Sequence, residues 1–300
     1  MRIAVTGRAG QVAQALIERG RMEGHDVVPI GREAIDLAQT GTSAMAAALR
    51  AAAPQVLVSA AAYTAVDKAE AEPDLAMAVN AAGPGRLAQA AAELRVPVIH
   101  LSTDYVFDGS GSRPWREGDP TGPKGVYGAG KLAGELAVAA AQSDSAILRT
   151  AWVYSPWGAN FVKTMLRLAE SREEVGVVAD QVGNPTSALA IADGVIAVAA
   201  NLLADPAPAL RGVFHMAGSG EASWADLAEA VFAASAARGG PSATVRRIAT
   251  ADYPTPARRP ANSRLDCRRI EAVHDVRLAP WQDSLEAVID RLVGGKDIAK

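Results

Sequence analysis

Through the first 150 residues, short β-rich apolar runs alternate with longer Ala-, Leu- and Glu-rich stretches of helical character. The runs at 2–6, 26–30, 56–60, 98–102 and 146–149 read as strands, and the stretches at about 11–21, 43–52, 74–94 and 129–141 as helices. Strands and helices in alternation build a parallel sheet covered by helices on both faces, a doubly wound α/β fold. Gly83-Pro84-Gly85 falls inside the third helix. Pro84 lacks a backbone donor and predicts a kink or a late start there. Beyond Arg149 the alternation stops and turn-forming clusters become frequent, as in Ser155-Pro156-Trp157-Gly158, Gly183-Asn184-Pro185 and Asp205-Pro206-Ala207-Pro208. A helix at 191–203 and a strand at 212–216 are placed to return to the first half. The stretch 253–260 is too rich in proline for either regular element and reads as a long loop carrying Arg258 and Arg259. Residues 1–150 thus form the larger domain, rejoined by about 187–216, with a smaller C-terminal lobe from 151–186 and 217–300. The residues after Gly294 are expected to lack order.

Bulk composition adds limits. With 49% hydrophobic and 21% charged residues among 300, the chain has an ordinary globular balance and can bury a sizeable core. A net charge of −3 supplies no basic field for nucleic acid or for an anionic membrane surface. Any phosphate must be met by local groups. Apolar stretches at 56–63 and 96–107 fall well short of the roughly 20 residues that a membrane helix needs. Cys267 is the single cysteine, and the start MRIAVTG runs directly into a strand without a leader pattern. A cytoplasmic protein is expected. His25, His100, His215 and His274 are scattered without metal-ligand spacing, so no catalytic metal is expected.

Two motifs point to chemistry. Gly7-Arg8-Ala9-Gly10-Gln11-Val12-Ala13 sits where the first strand turns into the first helix. There Gly7 permits the tight turn, Gly10 admits a pyrophosphate close to the backbone, and small Ala13 lets helix and strand pack, as in Rossmann-like dinucleotide sites. The helix N-terminus adds amide donors and a partial positive charge. The second strand ends in Ile30-Gly31-Arg32, without the acid that NAD-binding folds usually carry. Arg32, with Arg8 able to help, would pair with a 2′-phosphate. NADPH is the expected cofactor, with NADH also open. Asp36 and Leu37 are spaced to flank the adenine, and Asp36 is equally suited to capping a helix. The second motif is Tyr127-Gly128-Ala129-Gly130-Lys131, a phenol and an ammonium on one helix face, downstream of Ser102-Thr103-Asp104. A neighbouring cation favours the phenolate and lowers the phenol's pKa, the chemistry of a carbonyl reductase.

These motifs join longer blocks: Ala60 to Glu70 (AAYTAVDKAE from Ala61), Ser102 to Gly109 (STDYVFDG), Arg149 to Tyr154, Asn160 to Met165, Asp180-Gln181 with Gly183 and Pro185-Thr186, and Arg259-Pro260 with Asn262 to Leu265. Together they resemble the dTDP-4-dehydrorhamnose reductases of the extended short-chain dehydrogenase/reductase group, over nearly the whole chain. The resemblance implies NADPH-dependent reduction of dTDP-4-dehydro-β-L-rhamnose to dTDP-β-L-rhamnose, a precursor of rhamnose-containing polysaccharide. It implies Tyr127 as general acid at the C4 oxygen, Lys131 on the nicotinamide ribose, and Thr103 orienting the same oxygen. Ala60, Ala61 and Ala62 would leave room for the cofactor, with Tyr63 on the nicotinamide side. Thr64, Val66, Asp104, Trp152 and Asn160 would lie toward the sugar, and Arg258 and Arg259 would meet its diphosphate. Some members of the family pair through a magnesium ion held by glutamates on the first helix; this chain has Ala15 there, which points to a monomer or weak homodimer. A nucleotide-sugar epimerase or dehydratase and a non-catalytic NADP-binding regulatory subunit are the alternatives.

Overall fold

The computed structural model describes residues 1–294; the tail after Gly294, expected to lack order, lies outside the described residues. The first half alternates as its apolar pattern requires: β1 (Arg2–Thr6), α1 (Gln11–Met22), β2 (Asp26–Ile30), α2 (Thr42–Ala52) and β3 (Val56–Ser59). The short α3 (Val66–Ala69) and α4 (Pro73–Met77), then α5 (Gly83–Glu93), β4 (Val98–Thr103), α6 (Val126–Ala141) and β5 (Ser145–Thr150) complete it. Beyond lie β6 (Val153–Tyr154), α7 (Phe161–Ala169), β7 (Glu174–Val178), β8 (Val182–Gly183), β9 (Thr186–Ser187), α8 (Ala188–Ala204) and β10 (Gly212–His215). The chain ends in β11 (Ala222–Ser223), α9 (Trp224–Ala236), β12 (Thr244–Ile248), β13 (Asn262–Ser263), α10 (Arg268–His274) and α11 (Trp281–Val293).

Six parallel strands form the main sheet in the order β10-β5-β4-β3-β1-β2. The order reverses between β1 and β3, and the crevice beyond their carboxyl ends is where such sheets bind ligands. The Thr6 hydroxyl closes that point by accepting from Ala60 N and Ala61 N, both at 3.0 Å. Helix α8 returns to cover α1, and β10 adds to β5, which puts residues 188–215 back on the sheet. A separate core unites α7, α9, α11 and β7 around Tyr154, Val162, Phe232 and Leu285.

The stretch 74–94 is not one helix. Between α4 and α5 lies a π-helical turn, Ala78–Ala82, and Pro84 occupies the first turn of α5. A continuous α-helix would require a donor from Pro84 to the carbonyl four residues back; the wider turn removes that demand. The turn also buries Asn80, whose Oδ1 accepts from Tyr63 N at 2.8 Å while its Nδ2 donates to Tyr63 O at 3.0 Å. Helix α6 starts at Val126 rather than 129, so Tyr127 stands in its first turn. It lies against the π turn so closely that a Cβ on Gly134 would come within 2.1 Å of Asn80 O. Backbone cannot step aside as a flexible side chain would, and the small residue is what permits the approach.

Gly134→Val is therefore expected to destabilise the fold by roughly 1–3 kcal/mol, the scale of overpacking. Urea unfolding checks this, and an unchanged midpoint would disprove so tight a seat for α6.

Candidate active site

The glycine turn lines a cleft of about 700 Å³ at the sheet's reversal point. Gly7 adopts φ +92°, open to glycine at little cost, and its N–H donates to Ile30 O at 2.7 Å. A Cβ on Gly10 would meet nothing within 4 Å among the described residues. Its absence leaves the N-terminus of α1 bare toward the cleft. Arg8, Gln11, Val12, Arg32, Asp36, Leu37, Ala60, Ala61, Ala62 and Thr64 line the same space, as do Tyr127 and Lys131. Several of these side chains are committed to the protein. Arg8 pairs with Glu33 at 2.7 Å, which the sequence reading missed, so Arg32 remains as the cation without an ion pair at this end among the described residues. Asp36 caps a turn, its Oδ1 accepting from Ala38 N at 2.8 Å, and Leu37 is a core residue. Gln11 Oε1 accepts from Ser155 Oγ and Asn160 Nδ2 at 2.8 and 3.0 Å.

The stripe Tyr127, Lys131 and Glu135 faces the ends of β4 and β5. Glu70 Oε1 accepts from Val126 N at 2.9 Å and fixes the first turn of α6. Tyr127 packs edge-on against Tyr105 with ring centroids 5.5 Å apart. Lys131, 3% exposed, donates from Nζ to Leu101 O at 2.6 Å, with His100 Nε2 at 3.4 Å. Glu135 takes two bonds from Arg149, at 2.9 and 2.7 Å, and one from Ser102 Oγ at 2.5 Å. Arg149 also lies over the Phe107 ring.

Burial sets the acidities here. It pushes the Tyr127 phenol well above its ordinary range, Asp104 and Tyr105 add to the rise, and the Thr103 hydroxyl works in the opposite sense. The expected lowering of the phenol by Lys131 is not what this structure shows: the ammonium is turned to Leu101 O and desolvation dominates. Burial pulls Lys131 itself down to about 8 against the pull of Glu135. Asp104 rises to about 6, again through burial, although its Oδ1 accepts from Thr103 Oγ1 at 3.0 Å. Its Oδ2 and the Ser263 hydroxyl lie next to each other, and neither has a partner at bonding geometry among the described residues.

Other expected contacts are placed differently. Tyr63 turns its hydroxyl away from the cleft to Glu72 at 2.6 Å. Asn160 caps α7, accepting from Lys163 N and donating to Gln11 and Ser155, so it joins the first helix to the second lobe. Trp152 stacks on Trp224, centroids 3.5 Å apart, and a Cβ on Gly183 would meet its ring at 2.5 Å. Its φ of +48° is held by that packing. Val66 opens α3, half-buried. Arg258 and Arg259 line a neighbouring cleft of about 770 Å³ with Lys124, Tyr105 and the loop 253–261. Arg258 is exposed, whereas Arg259 pairs with Asp67 at 2.5 Å and donates to the Tyr105 hydroxyl at 3.3 Å. Asp67 and Tyr105 went unassigned from sequence although both lie inside the AAYTAVDKAE and STDYVFDG blocks.

Known proteins resemble this chain in sequence and fold. A family described as RmlD substrate binding domain matches residues 1–293. The dTDP-4-dehydrorhamnose reductase of Sinorhizobium fredii is 52% identical, covering 99% of this chain and 100% of its own. Among solved structures, a dTDP-4-dehydrorhamnose reductase from Clostridium acetobutylicum has a TM-score of 0.89 at 35% identity, covering 97% of this chain and 99% of that one. Another, from Bacillus anthracis in complex with NADP, has a TM-score of 0.88 at 31% identity, covering 96% and 98%. This chain belongs to the dTDP-4-dehydrorhamnose reductase family. Within this reductase the Glu135–Arg149 pair, both residues under 5% exposed, is the charged support on which the Tyr127 and Lys131 stripe rests.

Glu135→Gln leaves a buried guanidinium without its counter-charge and is expected to cost about 3–5 kcal/mol. Urea unfolding measures this, and Glu135→Gln/Arg149→Met should recover part of the loss; equal stability of the single variant and the wild type would refute the assignment.

Proposed function

We propose that the protein reduces dTDP-4-dehydro-β-L-rhamnose to dTDP-β-L-rhamnose with NADPH. The carrying observation is that Tyr127 and Lys131 line the same cleft as the Gly7–Gly10 turn, with Thr103 beside the phenol. The bare N-terminus of α1, the small wall of Ala60 to Ala62 and the cation Arg32, without an ion pair among the described residues, suit a dinucleotide with a 2′-phosphate. When bound, NADPH supplies the hydride. Tyr127, kept protonated by burial, stands as the proton donor at the C4 oxygen, and Thr103 orients that oxygen. Lys131 would hold the nicotinamide ribose. Its charge would then ease loss of the phenol proton, the role that the protein's own hydrogen bonds do not give it. Residues 1–150 and 188–216 would hold the cofactor, and the rest of the chain the nucleotide sugar.

Near the second cleft, Arg258 and Lys124 are the cations best placed for a diphosphate, with Arg259 divided between it and Asp67. Among the described residues no helix is long and apolar enough to cross a membrane. The reading extends to a cytoplasmic monomer or weak homodimer, since Ala15 is buried in the core shared with α8 and offers no acidic bridging site.

Oxidation of NADPH upon addition of the dTDP-4-keto sugar tests the activity; cofactor binding without turnover would overturn it in favour of a regulatory subunit. Tyr127→Phe should lower kcat by about 10²-fold with the Kd for NADPH nearly intact; near-normal turnover would remove the phenol from its role. In Arg32→Asp the ratio of kcat/KM for NADPH over NADH should fall, and an unchanged ratio would show that Arg32 does not read the phosphate.

A further inference from the structure

Lys131 is held on its inner side by a histidine to which the roles above give no task. His100 lies on β4, fully buried, three residues before Thr103. Its Nε2 stands 3.4 Å from Lys131 Nζ, and its Nδ1 lies 3.1 Å from Ser59 Oγ on β3. An ammonium carries three N–H donors and no acceptor. Leu101 O and His100 Nε2 engage two of them from the sheet side, which leaves the third for the cleft that Lys131 lines. For Nε2 to accept, the ring must be neutral with its proton on Nδ1, donated to Ser59 Oγ. The donor-only ammonium thus dictates the tautomer, and the Ser59 hydroxyl accepts the Nδ1 proton. Burial and the adjacent ammonium both push the ring's pKa far below its ordinary value, which keeps it an acceptor at neutral pH.

We propose that His100, with its Nδ1–H held by Ser59, is a positioning residue for the reduction: as a neutral acceptor it fixes the direction of the remaining Lys131 N–H and favours the charged lysine. The inference rests on the reductase reading, because His100 acts only through Lys131. The other groups facing this lysine do not do the same work. Glu135, one turn along α6, favours the ammonium by charge, yet its two oxygens are engaged by Arg149 of β5. Tyr127 presents a neutral phenol from the first turn of α6. The π turn contributes Asn80, an uncharged amide already bonded to Tyr63. A water molecule would complete the lysine's bonds equally well in an open site, but this side is closed. A carboxylate in place of His100 would draw the ammonium inward as an ion pair, whereas a neutral ring holds it without competing for its charge.

The test is the pH dependence of kcat for the wild type, His100→Phe, His100→Gln and Ser59→Ala, with thermal midpoints to establish folding. With Tyr127 pushed upward, Lys131 at about 8 is the first of the pair to lose its proton as pH rises, so wild-type kcat should fall above that value. Removing the acceptor disfavours the ammonium, so in His100→Phe this limb should move to lower pH by on the order of one unit. His100→Gln, whose amide oxygen accepts in place of Nε2, should restore it toward the wild-type position. Ser59→Ala, a smaller change, should shift the limb the same way by less and carries the test if His100→Phe does not fold. A folded His100→Phe with an unmoved limb overturns the proposal. So does an equal loss of kcat in the Phe and Gln variants without any shift, which would mark His100 as packing alone. If the wild type does not oxidise NADPH with the sugar, the reductase reading fails by itself. The pH dependence of amine labelling at Lys131, read by mass spectrometry, then still decides whether His100 sets the lysine's charge.

Discussion

Two charges withdrawn from water, on Glu135 and Arg149, hold the site together. Burying either alone would be prohibitive; burying both is tolerated because the guanidinium meets the carboxylate at two points, at 2.9 and 2.7 Å, while Ser102 adds a third bond. That geometry has little slack. It joins α6 to β5 through Arg149 and to β4 through Ser102, the residue immediately before Thr103. Because Tyr127, Lys131 and Glu135 recur every four residues on one helix face, fixing the last of them fixes the axial position of the other two. Orientation of the reactive side chains is thus inherited from an ion pair whose two residues, Glu135 and Arg149, stand behind the lining of the cleft.

The same withdrawal from water accounts for the acidities. Tyr127 and Asp104 are raised and Lys131 is lowered, each with desolvation as the largest cause. All three shifts favour the uncharged form. The site therefore binds the phenol proton tightly and the lysine proton loosely, a poise opposite to the one inferred from the Tyr-Lys spacing alone. Proton donation from the phenol would become easier only as a positive charge is brought to bear on it.

What the sequence made legible was what is local. Gly7 and Gly10 follow a strand and open a helix, so their backbone roles are encoded within ten residues. The apolar runs produced the parallel sheet, and the proline in Gly83-Pro84-Gly85 marked the break before α5. What stayed hidden depends on partners far along the chain. Arg259 and Asp67 are separated by 192 positions, and nothing near either predicts that the arginine is shared with an acid. Asn160 sits in a block that resembles a substrate contact, yet its amide caps α7 and reaches Gln11, 149 positions away. Trp152 reads as an aromatic platform in one dimension, and its stack on Trp224 over the absent side chain of Gly183 is visible only in the fold. Glu33 carries no signal of its own in the sequence, and its pairing with Arg8 follows from the fold of the glycine turn.

The π turn at Ala78–Ala82 is, in helical terms, one residue too many. Deleting a single residue from this turn would return it to the α-helical count, which again asks Pro84 for a donor that it lacks, so the chain would kink or break just ahead of the buried Leu87, Ala88 and Ala91. The Asn80 clamp on Tyr63 would be lost in the same event. Chain length in this turn is thus a register count, shared between the helix that covers the sheet and the loop that follows β3, and a one-residue gap here would be more disruptive than most substitutions.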